Sequence, residues 1–361
     1  MHFFLLWIIC RELLPEIDKR DRVIVVVISS LYPTWIVMVG YSFSHNAFIP
    51  FYLLTLWLLI KSVKSGRIYW FILLGVVSGY LYWIHPSGAL VIVSLSIVVL
   101  YLSYTKKAYF TEFFTFTAIA FFMICLYRMS FEPWIQSIMV FENSGLVYNY
   151  PSESEFILGT LKNLGSVEFY WRVLSHISSR ILYLTVSSVG IIWFGVYASW
   201  KKWSNKNAED RVVYLFLLLS FVLVLLFSVK VHAGAGNRID YWLHGRYIEQ
   251  VLPPILILGF YEFIRNNFNV KSIFIVILAT LLGALLVSVN VKSFDLNVPY
   301  IQMASFWPVY FLKNQDGIWL WTAVGLIPVV LINVIPASTR RTLGVLIVAI
   351  IYRIGSYKLP R

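Results

Sequence analysis

A polar patch rich in chemistry-bearing residues, VHAGAGNRIDYWLHGRYIEQVLPP, runs from Val231 to Pro254. The stretch holds His232, Arg238, Asp240, His244, Arg246 and Glu249, with Gly234, Gly236, Gly245 and a closing Pro253-Pro254 pair. A long apolar run ends just before it and another begins just after. Ionisable groups against a membrane segment are costly, so they mark a site by default. Arg246 offers a planar fork of donors suited to a phosphate. Gly245 beside it permits close backbone approach. Arg238 and Tyr247 belong with Arg246 as candidate phosphate contacts. A carboxylate that accepts a proton must lie near the attacking hydroxyl, and Asp240 and Glu249 flank Arg246. The same residues also suit plainer roles: an arginine that snorkels to headgroups, and carboxylates that pair with it.

Two more corners carry chemistry-bearing residues. His85-Pro86-Ser87-Gly88 joins two apolar runs, and a partly cationic His85 would help to hold an anion. Ser44-His45-Asn46 precedes another run, where Ser44 or Asn46 suits a helix cap. By spacing alone, an ordinary turn is the favoured reading of each. His45, His85, His232 and His244 are the candidate metal ligands, but no pair has the spacing of a helical His-x-x-x-His site, and no metal is expected. The further outer carboxylates are Glu132, Glu142, Glu153, Glu155, Glu168, Asp295 and Asp316. No Walker A loop, Gly-x-Ser-x-Gly elbow or Cys-x-x-Cys motif is present, so soluble nucleotide or hydrolase chemistry has no support.

The elements that must position these residues are membrane helices. The 361-residue chain is 60% hydrophobic and only 13% charged. Soluble domains carry about 25% charged residues. Runs without a charged residue or histidine cover 23–44, 46–60, 68–84, 86–105, 113–127, 181–200, 212–229, 272–291 and 317–339. A spanning helix needs roughly 20 mostly apolar residues. This predicts nine spans, or twelve if the shorter runs 1–10, 250–261 and 342–352 are included. The fold class is therefore all-α and polytopic, with residues 1–361 as a single transmembrane domain. A β-barrel is not expected, because its strands alternate apolar and polar residues and these runs do not. Cys10 and Cys125 both sit in apolar runs, so no disulfide framework is indicated. The net charge of +12 follows from basic loops rather than from nucleic-acid binding. The first ten residues lack a basic n-region and a small-residue cleavage site, so no signal peptide is expected.

More than half of the Lys and Arg residues fall in loops 11–22, 61–67, 105–109, 201–211, 265–271 and 340–341. The positive-inside rule places these six loops in the cytoplasm. Twelve helices then thread with both termini outside. The outer side receives all six histidines (His2, His45, His85, His176, His232 and His244), together with Arg128, Arg172, Arg180, Arg238 and Arg246. It also receives a long loop, 129–177, and an aromatic interfacial segment, 292–316. Within the long loop, apolar spacing predicts a short helix over Ser154–Leu164 and a second over Val167–Tyr183 that leads into the 181–200 span.

Three of these segments resemble motifs of the GT-C glycosyltransferases. Ser44-His45-Asn46-Ala47-Phe48-Ile49-Pro50 is similar to their Ser-Glu-Asn-x-Phe-x-Pro segment. His85-Pro86-Ser87-Gly88 resembles their Thr-Lys/Arg-Pro-x-Gly corner. Arg246-Tyr247 with Pro253 and Pro254 resembles their Arg-Tyr-x-x-x-x-x-Pro approach to a late helix. The resemblance covers roughly 23–260, and the order and side of the three motifs agree. It implies transfer of a sugar from a polyprenyl-phosphate donor at the outer face, as in protein O-mannosyltransferases and aminoarabinose transferases. Arg246 would then contact the donor phosphate, and His85 would stand in for a phosphate-binding Lys or Arg. His45 replaces a usual acidic residue and, with His244, is assigned to acceptor or support roles. The family's essential acid lies in a first outer loop. This chain is expected to begin after that loop, near the family's third helix, which leaves Asp240 and Glu249 as the candidate carboxylates. The expected partners are the polyprenyl-phosphate-linked sugar, membrane lipid and, as a possibility, a second membrane subunit; nucleic acid and cofactors are not expected. A multi-pass plasma-membrane protein fits best, since no retention signal or outer glycosylation sequon is present. The alternatives are a non-catalytic GT-C-like subunit that still binds carrier lipid, and a polysaccharide polymerase or transporter.

Overall fold

In the computed structural model, the residues described are 2–30, 44–106, 109–133, 162, 165–205, 207–233, 246–265, 270–290, 315–336, 339–340 and 342. Among them there is no strand. The first half contains α1 (His2–Leu13), α2 (Lys19–Ser30), α3 (Ser44–Ser65), α4 (Ile68–Ile84), α5 (Gly88–Thr105) and α6 (Phe110–Leu126). The second half contains α7 (Val167–Ser187), α8 (Ile191–Asn205), α9 (Ala208–Ala233), the single turn α10 (Arg246–Glu249), α11 (Pro253–Arg265), α12 (Val270–Asn290) and α13 (Gln315–Leu331). Five described helices are long and apolar enough to cross a membrane, or six if the bent α7–α8 pair is one span; α4 and α13 are shorter apolar helices. The chain is an all-α polytopic membrane protein.

The marginal runs 1–10 and 250–261 are indeed short helices, twelve and thirteen residues long. The run 342–352, residues 31–43 and most of the loops 129–177 and 292–316 lie outside the described residues. Both ends of the long loop are helical. At its start, α6 continues through a π-helical turn, Tyr127–Phe131, where Arg128 pairs with Glu132 one turn on at 2.9 Å. Its end is α7.

Five of the six loops grouped by their basic residues meet at one end. Lys61 and Lys64 reach Glu12, and Lys106 reaches Glu209. The Tyr109 hydroxyl donates to the Val63 carbonyl, and Lys202 to that of Leu13. Arg265 lies 3.5 Å from Asp21. From this basic end α4 runs 17 residues, about 25 Å, to His85 at the opposite end.

Peripheral and central helices differ in burial. In α6 only Phe116 and Ala120 are buried, while Phe114, Phe121 and Phe122 are exposed, as suits a face turned to lipid tails. In α11 every residue from Pro253 to Ile264 is buried. Its apolar residues belong in the interior, and Glu262 is buried with them. The helix packs on α8 with backbones nearly touching: a Cβ on Gly195 would sit 2.0 Å from the Ile255 carbonyl oxygen, and one on Gly259 would sit 2.4 Å from that of Ile191.

The 181–200 run is not one straight span. It breaks after Ser187, and α7 and α8 meet at 107°. The break is a Schellman cap: the Gly190 N–H bonds to the Thr185 carbonyl at 2.7 Å, and that of Val189 to Val186 at 3.2 Å. Val189 has φ +49° and Gly190 φ +75°. Ser188 then caps α8 by accepting the Ile192 N–H. A charge-free run is blind to such a break, because the cap consists of local hydrogen bonds.

Candidate functional site

The three resembling segments converge at the end away from the basic loops. His85 closes α4 in extended backbone, and Ser87 lies in the turn before α5. Gly88 allows the corner to close: a Cβ there would meet the Leu81 carbonyl carbon at 2.4 Å. Pro86 and Ser87 form the turn, and α5 begins at Gly88. The His85 Nδ1 accepts the Ser87 N–H at 3.1 Å and lies 2.8 Å from Ser87 Oγ. An accepting Nδ1 suits the tautomer protonated at Nε2. Ser87 Oγ donates to Gln250 Oε1 at 2.9 Å, across 163 positions of sequence. The Tyr247 ring stands 5.4 Å from that of His85, and Phe48 approaches His85 edge-on at 6.4 Å. Phe48 belongs to the Ser44–Pro50 segment, His85 and Ser87 to the proline corner, and Tyr247 and Gln250 to the arginine-tyrosine turn.

A second layer lies beside the first. The buried Tyr183 hydroxyl donates to Glu249 Oε1. One turn earlier on α7, Arg180 is fully buried and its Nε donates to Ser228 Oγ of α9 at 3.2 Å. His85, Arg180, Tyr183, Tyr247 and Glu249 each make further interactions beyond these. Burying ionisable groups is costly unless they are paired and hydrogen-bonded, so this layer constrains α7, α9 and α10 together.

The candidates divide clearly. His85, Tyr247 and Glu249 come together. Arg246 opens α10 and His45 lies in the first turn of α3, but their side chains are outside the described residues, as are Arg238, Asp240 and His244 altogether. Among described outer carboxylates, Glu132 and Glu168 pair with Arg128 and Arg172 on their own helices. Glu249 is the buried one, 2% exposed. Sequence reasoning missed Ser87, Gln250, Tyr183 and Ser228 as partners, and noted Arg180 only as an outer residue. The polar run Ser175-His176-Ile177-Ser178-Ser179-Arg180 inside a membrane helix was a usable signal for Arg180. Tyr183 gave none, since tyrosine is common in such helices. Among the described residues no cluster of His, Cys, Asp and Glu could hold a metal.

Fold and site together define a polytopic helical membrane protein with a buried polar cluster at one end of its bundle. Compared with family models, curated proteins and solved structures, the chain has no match.

Proposed function

We propose that the protein is a membrane glycosyltransferase of the GT-C type, which moves a sugar from a polyprenyl-phosphate donor to an acceptor at the outer face of the plasma membrane. The observation that carries this reading is the meeting of Phe48, His85–Ser87 and Tyr247–Gln250 from three segments that resemble that superfamily. In this reaction the acceptor oxygen attacks the anomeric carbon, and the carbon–oxygen bond to the phosphate breaks. Arg246 holds the departing phosphate, and a carboxylate takes the acceptor's proton. Glu249 and Asp240 are the candidates for that carboxylate. His85, held by Ser87, is positioned as a neutral Nε2–H donor beside Tyr247.

A second reading, transport, has one observation in its favour: α7 and α8 meet at a sharp break, as spans of transporters often do. Against it, the break is tightly packed, since a Cβ on Gly190 would lie 2.4 Å from Val329.

The test is binding of a polyprenyl phosphate to the purified protein beside Arg246→Ala. Wild type is expected to bind, and the variant to bind at least tenfold more weakly, about 1.5–3 kcal/mol for a lost charged hydrogen bond. Absence of specific binding by wild type overturns the reading. Retained binding with no sugar transfer by the protein supplied with donor and acceptor would leave a non-catalytic carrier-binding subunit.

A further inference from the structure

Helix α10, Arg246–Glu249, is a single turn. A helix that short does not hold its own direction, because its first turn fixes several residues for one hydrogen bond. The chain leaves it through backbone bonds from Val251 to Ile248 at 3.1 Å and from Leu252 to Glu249 at 3.4 Å. Its orientation therefore comes from side chains on other elements. The Tyr247 ring stands against His85 and, edge-on at 6.1 Å, against Phe227 of α9. Tyr183 of α7 holds Glu249, and Ser87 holds Gln250.

The last tie is a poor device for stability. Gln250 is 1% exposed, and its carbonyl oxygen accepts from Ser87, but its Nε2 has no hydrogen-bond partner among the described residues. A buried amide that keeps one partner and strands its N–H donors costs more than an apolar side chain of the same shape. Residues that break a stability rule in this way are expected where position or chemistry matters. Ser87 is itself fixed: its N–H bonds to His85 Nδ1, and Gly88 lets the corner close on the Leu81 backbone. Gln250 follows Arg246 by four positions, one turn or about 6 Å along the axis. We infer that Ser87 and Gln250 are positioning residues, whose bond clamps α10 to the α4–α5 corner and so sets where Arg246 stands. In making Arg246 the group that meets the ligand, this inference rests on the carrier-lipid reading. It adds how that group is aimed, and both residues fall on unspecified positions of the resembling motifs.

The test compares wild type with Ser87→Ala/Gln250→Met, Arg246→Ala, the triple variant and Ser87→Thr. Native mass spectrometry reads binding of a polyprenyl phosphate; melting temperature in detergent and hydrogen exchange at the Val251 and Leu252 amides are read beside it. The pair removes both polar ends together, so it is expected to melt no lower than wild type. It should nonetheless bind about fivefold more weakly, with faster exchange at the two amides. Ser87→Thr keeps the hydroxyl and should bind as wild type. The triple variant should bind as Arg246→Ala does, because effects that share one path do not add. Ser87→Ala alone, expected to bind about threefold more weakly, keeps the inference testable if the pair does not fold. If the pair binds as wild type while Arg246→Ala does not, the clamp is refuted and the carrier reading stands. If the pair costs the same factor with Arg246 already removed, it does not act through Arg246, and the clamp is refuted. If wild type binds no polyprenyl phosphate, the carrier reading falls. The clamp then stands if the pair speeds exchange at an unchanged melting temperature, and falls if exchange is unchanged.

Discussion

At the basic end of the bundle most charges meet in reach of water; Asp21 and Glu262, 1% and 5% exposed, are exceptions. Lys61 and Lys64 share Glu12, with their side chains 32% and 50% exposed. Lys106 reaches Glu209, and Arg265 reaches Asp21 and Asp18. At the His85 end, the groups that meet are buried: Ser87 on Gln250, Tyr183 on Glu249, Arg180 on Ser228. The first end fits loop anchoring, where individual pairs matter little and tolerate exchange. The second constrains geometry, because each partner lost strands a polar atom away from water. Density of charge alone thus does not tell the two ends apart; the burial of the groups that meet differs more between them.

The contrast is sharpened most by Tyr183→Phe. Removing a buried donor from a carboxyl is expected to cost about 1.5–3 kcal/mol, read as a clear fall in melting temperature of the detergent-solubilised protein. A fall no larger than that of a lysine variant at the basic end would break the comparison. Ser87→Ala comes next, at about 1–2 kcal/mol, since the Gln250 carbonyl stays buried without its donor. At the basic end, Lys64→Ala is expected to cost under about 1 kcal/mol, and the cost should shrink further as salt is added. The smallest effect is a pH dependence. Burial pushes the Glu12 carboxyl up, but hydrogen bonds from Lys64 and Lys61 and their charges together pull it further down, so its pKa lies below the ordinary 4.5. A depressed carboxyl stabilises the fold above its ordinary value, and the contribution is lost as pH falls through the folded value. The difference in melting temperature between wild type and Glu12→Gln should therefore hold above pH 4.5 and narrow below it.

The helical class and the grouping of basic loops were legible because they depend on composition and charge, which act without regard to partners. Glu12 with Lys61 and Lys106 with Glu209 lie together as the loop assignment requires. The His85 corner and the Tyr247 turn were legible as motifs, and they do meet. Their connecting atoms were not, since the bond from Ser87 to Gln250 joins residues that only tertiary packing brings together. The same holds for Tyr183 and Glu249. The break at Ser188–Gly190 was illegible for another reason. An unbroken apolar run fixes only the cost of exposure to water, while the bend depends on what packs against it.

That bend sets an order of assembly. Non-helical backbone in a bilayer persists only where other protein covers it. Gly190 is covered by Val329 and by the Gly325 carbonyl of α13, more than 130 residues later in synthesis. When 181–200 first leaves the ribosome it is a single apolar segment long enough to insert straight. In nascent chains that stop before Gln315, cysteine reporters flanking 181–200 should therefore register an unbent span, with the bend seen only in longer chains. Helix α7, which carries Arg180 and Tyr183, would then reach its final tilt only as α13 arrives, so this part of the buried cluster is completed late.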